Sequence, residues 1–180
     1  RDHGAEVPFL RPSEFAGDQV GDLEVLRHAL EWYRDNEGQV PELLVYLRPT
    51  TPLRDTALID SAVGVLLADA GATALRSVHE MSESAYKTFE REGRFLRPVA
   101  GTDMDQANRA RQAFPATYVG NGYVDVVRPA RILAGESMLG NHVIAFETPP
   151  AAEIDSPQDL DYLRFQAGRS PDLVEALFAE

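Results

Sequence analysis

The feature that most constrains the fold is a short apolar run, Leu43-Leu44-Val45-Tyr46-Leu47, closed by Pro41 on one side and Pro49 on the other. A run with no polar alternation, too short for a helix, predicts a central strand covered on both faces. Ahead of it, Leu23, Leu26, Leu30 and Tyr33 recur at helical spacing behind Asp22, the expected N-cap, and that helix should stop near Asn36-Glu37-Gly38. Behind it, Leu58, Ile59, Ala62, Val63, Leu66 and Leu67 form an apolar stripe on a second helix starting near Asp55, with Gly71 as its stop. Ala74 to Val78 then predicts the next strand. This rhythm implies right-handed βαβ crossovers: an α/β, doubly wound, mostly parallel sheet that binds ligands beyond the carboxyl ends of its strands.

Between residues 81 and 116 the pattern loosens. Tyr86 to Phe89 and Phe95 to Val99 predict two short strands joined by a turn at Gly93, a hairpin excursion from the main sheet. Tyr118 to Val127 and His142 to Phe146 predict later strands. Ser156-Pro157 should open a helix, with Ser156 as cap, proline at the first helical position and Asp159 in the first turn. A last short helix is expected from Ser170-Pro171. No repeat or linker interrupts the 180 residues, so a single domain with the 81–116 hairpin inserted in it is the expectation.

Charge narrows the partners. A formal net charge of −12 and a pI near 4.7 repel a polyanion such as DNA or RNA, and no basic run offsets them. A small anion needs only a few local cations, so nucleotides are not excluded. Without cysteine there is neither a disulfide framework nor a thiolate metal site, and the four histidines share no ligand spacing. No apolar run approaches the roughly 20 residues of a membrane span, so a cytoplasmic protein is expected.

Three groups of residues could carry chemistry. In Arg48-Pro49-Thr50-Thr51-Pro52-Leu53-Arg54, two prolines stiffen a turn that offers hydroxyls and guanidiniums at the ligand-binding edge of the sheet. It suits a carboxylate or phosphate; it reads equally as a rigid turn whose threonines cap the following helix. Glu153-Ile154-Asp155 places two carboxylates on one face of extended backbone, where both can reach one Mg2+; the competing reading is two solvated acids in an acidic chain. Lys87, Arg109 and Arg111, with Gln112 and the turn Gly120-Asn121-Gly122 close behind, are either a binding group or solvated surface charge.

In this order, the segments resemble the acylneuraminate cytidylyltransferases, the enzymes that make CMP-sialic acid and related compounds. Glu6 to Pro12 is similar to the family's segment around a cytosine-side arginine, and Leu47 to Arg54 to its Leu-Gln-Pro-Thr-Ser-Pro-Leu-Arg turn. Ala85 to Phe89 resembles a Pro-Tyr-Lys-Met-Phe element whose lysine reaches the neighbouring subunit's sugar site. Arg111-Gln112-Ala113-Phe114-Pro115, Tyr118 and Asn121-Gly122 follow the spacing Arg-Gln-x-Leu-Pro-x-x-Tyr-x-x-Asn-Gly. Glu153 to Leu160 is similar to the closing Asp-Ile-Asp-Thr-x-x-Asp segment. The resemblance implies a nucleotidyltransferase (Rossmann-like) fold, CTP and a nine-carbon sugar acid as substrates, Mg2+ on Glu153 and Asp155, and a homodimer formed through the 81–116 hairpin. It assigns Arg11 and Asp22 to the nucleotide. It gives Arg48, Thr50, Thr51, Arg54, Lys87, Arg111, Gln112, Asn121 and Gly122 to the substrate.

The sequence departs from that pattern at Arg48, in place of the usual glutamine, at Asp125, in place of a common tyrosine, and at Met138-Leu139, in place of a Phe-Phe pair. Such enzymes also begin with a strand and a Gly/Arg/Ser/Lys-rich loop that holds the triphosphate, expected before Arg1. Without that loop the stretch from Arg1 onward is expected to be inactive alone, since little would offset the charge on departing pyrophosphate, and a sheet edge is expected to be open. An eight-carbon keto-deoxy acid cytidylyltransferase and a non-catalytic binding homologue are the alternatives.

Overall fold

The structure is a computed structural model that describes residues 2, 4–17, 19–101 and 103–169. The short helix expected from Ser170-Pro171 lies outside the described residues. Six strands and five helices are described: α1 (Asp22–Glu37), β1 (Leu44–Tyr46), α2 (Thr56–Ala68), β2 (Ala74–Glu80), β3 (Phe89–Glu92), β4 (Phe95–Pro98), α3 (Met104–Ala107), β5 (Tyr118–Val127), α4 (Pro129–Leu133), β6 (Val143–Glu147) and α5 (Pro157–Arg169). The main sheet is mostly parallel with strand order β1-β5-β2-β6, the α/β architecture that the alternation predicts.

Two compact units divide the chain, and β2, β5 and β6 each run through both. One comprises Arg1–Tyr46, Val63–Leu75 and Val126–Ile144. Its core gathers Leu26, Leu30, Ala74, Val127 and Ile132, with Leu23, Leu44, Tyr46, Met138 and Leu139 packed around them. Helix α1 supplies Leu26 and Leu30 from one face and ends at Gly38, whose φ of 69° is the left-handed stop that glycine makes cheaply. Phe9 packs edge-on against His28 and beside Trp32, which fastens the Glu6–Pro12 segment along α1.

The other unit comprises Leu47–Ala62, Arg76–Asp125 and Ala145–Glu180. It carries the hairpin of β3 and β4, antiparallel with Glu90 opposite Arg97, and those two side chains form an ion pair across the strands. It also carries α5, which opens as expected: Ser156 Oγ accepts from the Asp159 amide, while Asp159 Oδ2 accepts from the amides of Asp155 and Ser156 and from the Ser156 hydroxyl.

Four expectations change. Strand β1 is an edge strand of the four-stranded sheet, not a central one, and Val45 is 37% exposed. An unbroken apolar run signals covered faces and does not count hydrogen-bonded neighbours. At α1 the cap is Gly21, in extended backbone, and Asp22 is the first helical residue; its carboxylate accepts the Tyr46 hydroxyl at 2.9 Å. The first hairpin strand starts at Phe89, because Ala85–Lys87 is a 3-10 turn that Ser84 caps through its hydroxyl. On α2 the buried stripe is narrower than predicted, with Ala62 and Leu66 buried and Leu67 exposed.

Candidate active site

The turn after β1 is built by its own charges. Thr51 N donates to Arg48 O at 3.1 Å, closing the loop around the two prolines. The Arg54 guanidinium then ties it to β5, giving Nε to the Tyr123 carbonyl at 2.6 Å and Nη2 to the carbonyls of Arg48 and Gly122 at 2.5 and 3.3 Å. Burial holds the Arg54 guanidinium below its ordinary pKa, and burial raises that of the Tyr123 phenol, whose oxygen accepts the Asp55 amide. Neither threonine caps α2: Asp55 does, accepting the Ala57 amide at 2.8 Å. The helix-capping reading of the threonines is thereby replaced.

The turn meets the acid segment through the main chain. Ile154 N donates to Thr50 O at 2.8 Å. Ile154 is half-buried beside that bond, and Glu153 and Asp155 on either side of it are exposed. Neither acid takes a hydrogen bond or ion pair from the described residues, which suits both to an oxygen-ligand cation. Gly122, at φ 66°, is the pivot: a Cβ there would stand 2.9 Å from Thr51 Oγ1, 3.7 Å from Arg48 Cδ and 3.8 Å from Glu153 Oε1. Thr51 is fully buried, and its hydroxyl has no hydrogen-bond partner among the described residues. Glu153 also lines a cleft of about 1050 Å³ with Leu53, Asp55, Tyr123 and Asp159.

Asp125 sits beneath this arrangement, 1% exposed. Its Oδ2 accepts Arg48 Nη1 at 2.8 Å, and Arg76 adds Nε to Oδ1 at 3.1 Å and Nη2 to Oδ2 at 3.2 Å. Arg76 and the role of Asp125 went unread in the sequence, where their partners are separated by 49 and 77 residues. The one available signal was that Arg48 and Asp125 depart from the family pattern together.

Of the other expected site residues, Asn121 is buried on β5, donating Nδ2 to Thr148 Oγ1 at 2.7 Å and accepting the Tyr123 amide. Lys87 gives Nζ to Arg109 O at 2.6 Å. Arg111 pairs with Glu80 at 2.6 Å and also reaches Met81 O; with Gln112 they line a second cavity, of about 310 Å³. Arg11 is exposed beyond Phe9. The structure thus gathers Arg48, Thr50, Thr51, Arg54, Gly122 and Glu153 in one place, with Asp155 beside them, and groups Arg111 with Gln112 at the second cavity, while Lys87 is held on the Arg109 carbonyl. Arg11 and Asp22 belong to the other compact unit.

The fold is similar to that of CMP:2-keto-3-deoxy-manno-octonic acid synthetase complexed with CTP, at a TM-score of 0.55 and 11% identity, over 85% of this chain and 70% of that one. In sequence, 61 residues are 39% identical to N-acylneuraminate cytidylyltransferase of Escherichia coli O18:K1:H7 (strain RS218 / NMEC). In fold and over this stretch of sequence, the chain is similar to cytidylyltransferases. The sequence match spans 34% of this chain and 13% of that protein's length. No family model matches.

Proposed function

We propose that the full-length protein transfers CMP from CTP to the anomeric hydroxyl of a nine-carbon 2-keto sugar acid in the cytoplasm. The hydroxyl oxygen bonds to the α-phosphorus, the bond to the pyrophosphate oxygen breaks, and the hydroxyl proton leaves to solvent. The observation that carries this reading is the main-chain bond from Ile154 to Thr50, which holds the Glu-Ile-Asp acids against the Arg48–Arg54 turn.

Glu153 and Asp155 are the residues that would hold Mg2+, which when bound neutralises the phosphate charge. Thr50 and Thr51 shape the floor beside them, and Arg54 fixes the turn through three carbonyls. Arg11 and Asp22 serve the nucleotide. Arg48, Arg111, Gln112 and Asn121-Gly122 serve the sugar acid, and Lys87 does so in a second copy of the chain. The exposed apolar side chains of the hairpin, Phe89, Phe95 and Leu96, support a homodimer through the 81–116 region. That hairpin with Lys87 and Arg111 favours the nine-carbon acid over the eight-carbon one.

The test is pyrophosphate release by the full-length protein given CTP, Mg2+ and either a nine-carbon or an eight-carbon sugar acid. Turnover with the former, its loss on chelation and its abolition by Asp155→Asn are expected. An Asp155→Asn protein as active as the wild type would refute the metal assignment. Sedimentation should give a dimer that Phe95→Lys weakens.

A further inference from the structure

Three consecutive amides run through the acid segment, and each has an acceptor. Ile154 N donates to the Thr50 carbonyl at 2.8 Å. Asp155 N and Ser156 N both donate to one oxygen of Asp159, Oδ2, at 3.2 and 2.8 Å, and the Ser156 hydroxyl adds a third bond to it at 2.7 Å. Ser156 Oγ in turn accepts the Asp159 amide at 3.3 Å. Thr50, both acids and Asp159 belong to the same compact unit.

The amide of Asp155 lies in the peptide plane before its α-carbon, and that of Ser156 in the plane after it. With both planes tied to one carboxylate oxygen, Asp159 fixes φ and ψ of Asp155, and so the direction in which that side chain leaves the backbone. The bond to Thr50 holds the plane between Glu153 and Ile154, one step earlier, and cannot take over this task. Asp159 is not itself placed as a third ligand: its Oδ2 is committed to three donors, and among the described residues no three Asp, Glu or His side chains cluster as a metal site. Mg2+ demands near-ideal octahedral geometry and is usually held by one or two carboxylates with substrate phosphates and water, so the aim of each carboxylate counts.

Building on the magnesium reading proposed above, we infer that Asp159 is a positioning residue for the cation, acting through the backbone of Asp155. The test is titration of the full-length protein with Mn2+ in the presence of CTP, followed by loss of the free-ion paramagnetic resonance signal against CTP alone. Asp159→Ala removes the acceptor and should weaken Mn2+ binding by about tenfold or more. Asp159→Asn loses the charge but keeps an acceptor oxygen, and should weaken it by less. Unchanged affinity in Asp159→Ala, or Asp159→Asn as weak as Asp159→Ala, overturns the inference, the latter because charge or direct ligation then carries the effect. Where Asp159→Ala does not fold, Asp159→Asn stands alone: a loss smaller than that of Asp155→Asn supports the inference, and no loss or an equal one overturns it. These failures leave the magnesium reading standing; a wild type that takes up no Mn2+, or Asp155→Asn with wild-type uptake, brings down both.

Discussion

Replacing Asp125 by asparagine should be the most damaging single charge change in this chain. Removing one member of a buried ion pair typically costs about 3–5 kcal/mol, because the partner's charge is left uncompensated. Here the stranded partners are two guanidiniums, about a fifth and more than a third exposed, so water screens part of the loss. That reduces the figure to about 2–3 kcal/mol. In a chain of this size each kcal/mol moves Tm by about 2–4 °C, so scanning calorimetry should show a fall of about 5–10 °C. Arg48→Met and Arg76→Met each leave Asp125 with one guanidinium and should cost about 1 kcal/mol. The double variant Arg48→Met/Asp125→Asn should be milder than the sum of its parts by about 1–2 kcal/mol, since the first change removes a charge that the second would strand. An Asp125→Asn protein melting within about 2 °C of wild type, or strictly additive costs, would refute the claim that the three residues form one charge unit.

Gly122→Ala should destabilise by about 2–4 kcal/mol in urea denaturation, because it demands a left-handed backbone and drives a methyl against the buried Thr51 hydroxyl. Adding Thr51→Ala should recover the clash but not the backbone cost. The Asp159 carboxyl is held below its usual 3.8 by the Ser156 hydroxyl first and by the Asp155 and Ser156 amides. A depressed acid stabilises the fold at pH above the unfolded value and loses that contribution as pH falls through the folded one. The Asp155 and Ser156 amide resonances should therefore hold steady down to about pH 4 and shift below it. Asp159→Asn should remove that acid limb and loosen the start of α5 at neutral pH.

Local rules carried much of the fold into the sequence. The stop at Gly38, the Ser156-Pro157 opening of α5 and the bounds of β5 each depend on residues within one or two turns of one another. Strand neighbours depend on distant segments, so the run around Val45 could announce a strand but not its place at the sheet edge. The site divides in the same way. The Arg48–Arg54 turn and the Glu-Ile-Asp acids were visible as motifs, and their meeting is written in one backbone bond that no motif contains. Arg76 carried no signal: an arginine within a strand pattern reads as a solvent-facing charge until Asp125 is found beneath it. Asp55, which takes the helix-capping role that the threonines could have filled, lies one residue past the motif and was legible only as the start of α2.

Because Ile154 is stitched to Thr50 amide to carbonyl, the acid segment and the turn keep their register whatever side chains they display. Neither member of that bond is spent on recognition. The stitch therefore behaves as a chassis: the side chains at positions 50, 153 and 155 can be exchanged without dismantling the frame that carries them.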